Sequence, residues 1–474
     1  MSAAKRRCAG AFPIAIALGL ALQACSTVPA GKPALPAAIP EAWQGSAGRA
    51  ADAPPAPGID AAWWKLLGDP VLDSLVQRAL DHNDDLRAAA ARVAEARALA
   101  EAQRSAALPT LDFGVGASRG QSISAATGNP YLANVLQPQF QAAYEVDLWG
   151  RIAELGRAAD AQFVASQAAR DSAALSVAAT TASSYINLLG LDARLEVARR
   201  TLAARESALE LARSRQQRGY SSALETQTSE AEYRATAQAI PQLLLAIRRQ
   251  EHALGVLTGA APGAIARGAT LTQLSMPPLP DAGLPSDLLR RRPDLASAEA
   301  QLVASDAQLA ASRAQLLPSL RLSASLGSVS STALVGDPSR LWSLGGSVLA
   351  PIFEGGRLRA QVRAADARRE QALANYEKAV LTGFSEVEDQ LAAIQELGRQ
   401  TTEAEAQRRA LQEAVRVASN RYREGYASHL DELDARRNLF GAEQTVLQLR
   451  ADSLTAQVGL YRALGGGWHD KGGA

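Results

Sequence analysis

The sequence predicts a mainly α chain with a transmembrane β part, built as two structural repeats of long coiled-coil helices with four β-strands in all. Three observations lead there. The chain matches itself at an offset of just over 200 residues, two proline-free territories carry apolar heptads, and four stretches alternate apolar with polar residues. Composition narrows the rest. Of 474 residues, 47% are hydrophobic and only 5% aromatic, which suits close-packed helices better than one large globular core. A net charge of +1 removes the electrostatic case for nucleic-acid binding. Four scattered histidines (His82, His252, His429, His469) and two cysteines build neither a clustered metal site nor a disulfide scaffold.

The elements follow in chain order. Lys5, Arg6 and Arg7 precede the uncharged stretch 9–22, and Leu22-Gln23-Ala24-Cys25 closes it, so residues 1–24 read as a secretory signal peptide too short to span a membrane. The ending resembles a bacterial lipobox, which would make Cys25 an acylated first residue of the mature chain; an ordinary cleavage site that happens to precede a cysteine is the alternative. Ser26 after the cysteine resembles lipoproteins sent on to the outer membrane. Residues 25–60 hold seven of the 22 prolines and read as an extended, lipidated tether.

Residues 61–270 and 271–468 are the two repeats, leaving 469–474 as a tail. Asp85-Leu86 and Leu108-Pro109-Thr110-Leu111 match Asp294-Leu295 and Leu317-Pro318-Ser319-Leu320 at an offset of 209. Gly219-Tyr220-Ser221-Ser222-Ala223-Leu224 matches Gly425-Tyr426-Ala427-Ser428-His429-Leu430 at 206, so a loop between these landmarks is three residues longer in the first repeat. Each half reads helix, strand pair, long helix, return helix.

The strand pairs fall at about 109–148 and 318–353. Leu111, Phe113, Val115 and Ala117 alternate with polar or small residues, as do Phe140, Ala142, Tyr144 and Val146, then Leu320, Leu322, Ala324 and Leu326. Trp342, Leu344, Val348 and Ile352 line one face of the last partner. Taken singly, each pair also fits a hairpin on a globular core. The best apolar helix candidate, 172–191, carries four Ser, two Thr and one Asn, so a membrane crossing falls to strands closed into a barrel. Four strands cannot close one, since about eight is the smallest number that does, and several chains are needed.

The long helices are expected over about 150–218 and 356–424, each reaching about 100 Å at 1.5 Å per residue. Leu188, Leu195, Leu202 and Leu209 recur every seven residues, as do Val380, Val387 and Ile394, and Leu433, Phe440, Leu447, Leu454 and Tyr461. Gly219 and Gly425 stop the long helices, and Ser222 and Ser428 are placed to cap the return helices.

Several segments in fixed order carry a family resemblance over nearly the whole mature length. They are Trp64 with Asp69-Pro70, Asn83-Asp84-Asp85-Leu86-Arg87, Pro351-Ile352-Phe353-Glu354-Gly355-Gly356-Arg357-Leu358-Arg359 and Tyr376-Glu377-Lys378-Ala379. Further on come Arg421-Tyr422-Arg423-Glu424-Gly425, Leu430 with Leu433-Asp434-Ala435-Arg436-Arg437, and Tyr461-Arg462-Ala463-Leu464-Gly465-Gly466-Gly467-Trp468. The chain resembles a TolC-type outer-membrane factor of the lipoprotein (NodT-type) branch that serves tripartite efflux pumps.

The resemblance implies a homotrimer in which four strands per chain complete a twelve-stranded outer-membrane β-barrel, continued by a periplasmic α-helical barrel. It implies a passive exit duct without catalytic groups or cofactors beyond the lipid on Cys25. Its partners would be a periplasmic adaptor, an inner-membrane transporter of the RND type and outer-membrane lipid. Adaptor-docking tips are expected at Arg218, Gly219, Tyr220, Ser222, Gly425, Tyr426 and Ser428, where turn chemistry alone also accounts for the residues. The resemblance places a periplasmic gate at Leu430, Asp434 and Arg437. Read without it, Asp434 and Arg437 are a solvated (i, i+3) ion pair worth ~0.2 to 0.5 kcal/mol. The first repeat offers Leu224, Thr228 and Ala231 at the equivalent places, so charged gate contacts would be threefold. A non-conducting coiled-coil lipoprotein bridging envelope layers explains the heptads and tether but leaves the four strands without purpose. An enzyme would need a concentrated nucleophile, base or metal set, or a phosphate-cradling glycine loop, and the sequence has none.

Overall fold

A computed structural model describes residues 40, 42–44, 59–280, 282–283, 285–332 and 338–468. The signal peptide, Cys25, most of the tether and the tail 469–474 lie outside the described residues. After a single 3₁₀ turn, Trp63–Leu67, come α1 (Pro70–His82), α2 (Asp84–Ser105), β1 (Thr110–Ile123), β2 (Pro130–Val146), α3 (Arg151–Gln217) and α4 (Ala223–Leu257). The second set is α5 (Pro285–Arg291), α6 (Pro293–Ala314), β3 (Ser319–Ser331), β4 (Ser339–Leu349), α7 (Arg357–Arg423) and α8 (His429–Ala463). Helices α3 and α7 are both 67 residues long, and α4 and α8 both 35.

Two compact units share the chain, and they are not the two repeats. Among the described residues, one takes 100–159 and 302–371, and the other takes the remainder. Each unit draws on both repeats because equivalent segments of the two repeats pack together.

The first unit holds one antiparallel sheet in the order β1-β2-β3-β4. Thr110 pairs with Ala143 and Ser319 with Leu349, so the first hairpin is three residues longer than the second. The strands run 14, 17, 13 and 11 residues, longer than the ~10 that a tilted strand needs to cross a bilayer. Pairing fixes the faces. Phe113 lies opposite Phe140, Phe140 opposite Leu326, and Leu326 opposite Trp342, and since side chains alternate with a period of two, the apolar sets of all four strands share one face. The Phe113 and Phe140 rings sit 4.9 Å apart. On the opposite face Gln137 Nε2 donates to Gln139 Oε1 at 3.2 Å, and the Ser325 and Ser343 hydroxyls meet at 2.8 Å. Ile352 departs from the expected pattern: β4 ends at Leu349, and Ile352 lies beyond it, next to Pro351, which has no N–H to extend a ladder.

The corners of this unit are fixed by polar contacts. Trp149 Nε1 donates to the Pro318 carbonyl at 2.7 Å, tying the β2–α3 corner to the α6–β3 corner. Both oxygens of Asp147 accept from the backbone N–H groups of Ile152 and Ala153, satisfying the first turn of α3.

The second unit holds the main hydrophobic core. Trp63, Leu67, Leu72, Leu75 and Val76 pack against Tyr185, Ile186 and Leu188 of α3, Leu254 of α4, and Leu454, Val458 and Tyr461 of α8. Each such leucine or isoleucine contributes about 1.5–3 kcal/mol relative to an exposed one. Trp63 stacks on Tyr461 at 5.5 Å, joining the start of the first repeat to the end of the second. Asp69 caps α1 through Val71 N and also accepts from Tyr185 Oη at 2.8 Å and Ala269 N at 2.9 Å, which accounts for the Asp69-Pro70 motif. Burial, with the Asp69 carboxylate beside it, pushes the Tyr185 hydroxyl well above its usual range.

Helix α3 is, among the described residues, the one helix long and apolar enough to cross a bilayer, and more than half of its apolar window is buried within the protein. Tyr185, Ile186, Leu188, Leu189 and Leu195 of this helix are core residues. Helix α4 continues through Pro241, whose missing N–H and ring make an interior helix position costly by about 3 kcal/mol.

Candidate functional site at the helical hairpins

The two hairpin turns are built alike. In the first, Tyr220 N donates to the Arg215 carbonyl at 2.8 Å and Gly219 N to Gln216 at 3.0 Å; in the second, Tyr426 N donates to Arg421 at 2.8 Å and Gly425 N to Tyr422 at 3.1 Å. These paired bonds form a Schellman motif, which demands a left-handed residue, and Gly219 (φ 75°) and Gly425 (φ 79°) supply it without a Cβ penalty. Ser222 then caps α4 through Glu225 N at 3.3 Å. Ser428 caps α8 through Asp431 N at 3.2 Å, and Asp431 returns a bond to Ser428 N at 3.0 Å, closing a capping box. The turns leave large side chains outside: Tyr220 is 81% exposed and Tyr426 77%, and Arg218 and both glycines are exposed too.

Just behind the turns, a polar cluster joins the two repeats. The Tyr422 hydroxyl on α7 donates to Glu225 Oε1 on α4 and accepts from Arg215 Nη1 on α3 at 2.9 Å, while that guanidinium also lies over the Tyr422 ring. His429 Nε2 meets Ser229 Oγ at 2.8 Å, and its Nδ1 lies 3.8 Å from Glu225 Oε1. Burial, together with the bond to Glu225, pushes the Tyr422 hydroxyl up to about 12. Thus one carboxylate oxygen, Glu225 Oε1, has two groups of the opposite repeat near it, the Tyr422 hydroxyl and the His429 ring.

Further along α8 stand the expected gate residues. Leu430 is 50% exposed, and Asp434 and Arg437 pair on the same helix, both more than half exposed. Arg437 reaches further, with Nη1 3.6 Å from Glu232 Oε1 of α4. Glu232 Oε2 in turn lies 2.8 Å from Arg205 Nη1. Arg205 is buried on α3, donates to the Glu232 carbonyl at 2.7 Å, and lies over the Phe440 ring. The charged pair of α8 is therefore continuous with an ionic chain crossing α4 and α3. At the equivalent places in α4, Thr228 donates its hydroxyl to the Leu224 carbonyl at 3.0 Å, and no charged pair forms.

On the other side of α8, Glu432 is buried. Burial alone would raise its pKa, but the Ser419 hydroxyl at 2.7 Å and the Arg436 guanidinium at 2.6 Å hold it below the usual carboxylate value. Nothing in the sequence marks Arg205, Glu225, Ser419 or His429 as site residues, and Tyr422 and Arg436 stand within family motifs without a role of their own. Their signal was present only as polar residues on otherwise apolar helix seams.

With this geometry in view, the chain defines its class. Residues 75–260 and 284–466 match the family described as outer membrane efflux protein, one match for each repeat, and the chain belongs to that family. Relatives agree along the full length. It is 36% identical over 456 residues to the pyoverdine export outer membrane protein OpmQ of Pseudomonas aeruginosa, covering 95% of each chain. It is 35% identical over 474 residues to the toluene efflux pump outer membrane protein TtgF of Pseudomonas putida, covering 96% of each. Among solved structures, the outer-membrane channel OprN superposes with a TM-score of 0.86 at 29% identity, over 94% of this chain and all of that one. This chain is an outer-membrane efflux protein.

Proposed function

We propose that three copies of this chain close edge to edge into a twelve-stranded barrel, forming the passive exit duct of a tripartite efflux pump. The observation that carries the reading is the sheet. Four strands with one shared apolar face and one shared polar face end in two free edges, β1 and β4, and four strands are half the number that closes the smallest barrel. Lipid then covers the apolar face, and the polar face lines a wet lumen, which leaves no lipid-exposed backbone unpaired.

Likeness to the family supports the remaining parts of the reading. An inner-membrane transporter of the RND type supplies the energy, and a periplasmic adaptor docks on the hairpin turns at Arg218, Gly219, Tyr220, Ser222, Gly425, Tyr426 and Ser428. Two near-identical turns in each of three chains suit a six-membered adaptor ring through quasi-equivalent contacts. Leu430 narrows the periplasmic entrance, and Asp434 with Arg437 holds it shut. No residue is needed for chemistry, so the protein is a conduit and not an enzyme, and its one covalent addition is the lipid on Cys25.

Native mass spectrometry of the full-length product extracted from bacterial outer membranes tests the assembly and the anchor together. Three mature chains, each starting at Cys25 with acyl mass, and a conducting pore in planar bilayers are expected. A lipid-free, water-soluble monomer would overturn both.

A further inference from the structure

The lipid-facing side of the sheet changes character along the strands. Near the helices it is apolar; towards the hairpin turns the same parity brings Ser328 of β3 and Arg340 of β4 in one row and, four residues (about 13 Å) nearer the turns, Arg119 of β1 and Asn134 of β2 in another, with Leu132 and Ile123 beyond them. Arg119 lies opposite Asn134, and Arg340 opposite Ser328. Both arginines are exposed. The two acids of the strands, Asp112 and Glu145, have the other parity, so among the described strand residues this face carries two cations and no anion. Trp342, two positions below Arg340 and 78% exposed, supplies an amphipathic ring of the kind found where hydrocarbon meets headgroups. An arginine there can lay its stem on hydrocarbon and keep its guanidinium among polar groups.

We propose that Arg119 and Arg340 form a binding site for the phosphate groups of the phosphorylated glycolipid in the outer leaflet. The site rests on the barrel reading above. In a closed wall β4 of one chain neighbours β1 of the next, so the two arginines, which stand on the two edge strands, come to the same seam from different chains. The site is incomplete in one chain and is made three times in the trimer. A guanidinium offers phosphate two parallel N–H donors, and Asn134 and Ser328 add neutral partners for sugar hydroxyls. The turn end of the sheet is the end away from the helical connections, which sets the site in the outward leaflet.

The test uses the full-length protein in detergent, with binding read by native mass spectrometry for three probes: bis-phosphorylated lipid A, lipid A stripped of phosphate, and phosphatidylglycerol. Wild type is expected to bind the first about 10-fold or more tightly than either other probe. Arg119→Ala with Arg340→Ala should remove that preference, and Arg119→Lys with Arg340→Lys should largely keep it, each cation near a charged lipid surface being worth about a factor of five. Equal binding of the stripped lipid, equal binding of phosphatidylglycerol, or full binding by the alanine variant would each overturn the site. The comparison of probes on wild type needs no variant to assemble. Trimer mass and pore conductance, read on the same samples, separate the two levels. A conducting trimer without phosphate preference fails this site alone, whereas a wild type that forms no trimer fails the barrel reading as well.

Discussion

The Tyr422 hydroxyl of α7 donates to the Glu225 carboxylate of α4, linking the second repeat to the first directly behind both hairpin turns. A bond to a charged acceptor contributes about 1.5–3 kcal/mol, enough to shift a two-state opening by roughly 10-fold or more. Tyr422→Phe keeps the ring under Arg215 and deletes only the hydroxyl. Open-channel occupancy in planar bilayers should rise by about that factor, and unchanged occupancy would make the bond purely structural.

Asp434→Ala combined with Arg437→Ala should increase leakage of large antibiotics into cells and raise single-channel conductance. Because Arg437 also reaches Glu232 on α4, Arg437→Ala alone is expected to do more than Asp434→Ala alone. Permeability equal to wild type in the double variant would remove these residues from the gate.

Glu432 gives a pH dependence with a definite sign. Its folded-state pKa lies below the ordinary glutamate value of 4.5, so its contribution to stability is complete above that pH and is lost as pH falls through the folded value. Thermal unfolding followed from pH 7 down to pH 3 should show a loss that Glu432→Gln flattens. Ser419→Ala should bring the acid-sensitive step to higher pH, because it removes one of the two groups that hold the carboxylate down. Identical acid profiles for all three proteins would contradict this.

Trp43, in the segment before the folded body, is only 4% exposed: its Nε1 donates to the Gly283 carbonyl at 3.0 Å and its ring meets Phe384 of α7 edge-on at 5.9 Å. Trp43→Ala should make the residues around it sensitive to protease at concentrations that leave wild type intact. The unfolding temperature of the body should change little, since the Trp63–Tyr461 core is elsewhere. Equal protease resistance would mean that the ring is not what holds the segment.

What the sequence made legible follows from how local each signal is. Strand alternation needs only neighbours in the chain, and so Phe113, Phe140, Leu326 and Trp342 were readable as one face of each strand. Their alignment into a single row across four strands came only with the register. The Schellman glycines and capping serines were readable for the same local reason. The partners of Arg205, Glu225 and Glu432 were not, because each of these is a polar residue on a helix whose partner stands on another helix, up to about 200 residues away. Proline content marks residues 25–60, Trp43 among them, as an extended tether, but it describes the backbone and says nothing about one ring finding a seat.

The free edges of β1 and β4 have a kinetic consequence for the cell. Edge strands of 14 and 11 residues present a row of unpaired backbone N–H and C=O groups, and Asp112, Arg119 and Arg340 are the only charges those strands carry to oppose pairing with a wrong strand. Correct closure requires encounters among three newly exported chains, so its rate falls steeply as their number falls, while misjoining to unrelated strands does not. Slow synthesis therefore lengthens the lifetime of the vulnerable state, and the envelope's folding helpers matter most when this protein is scarce.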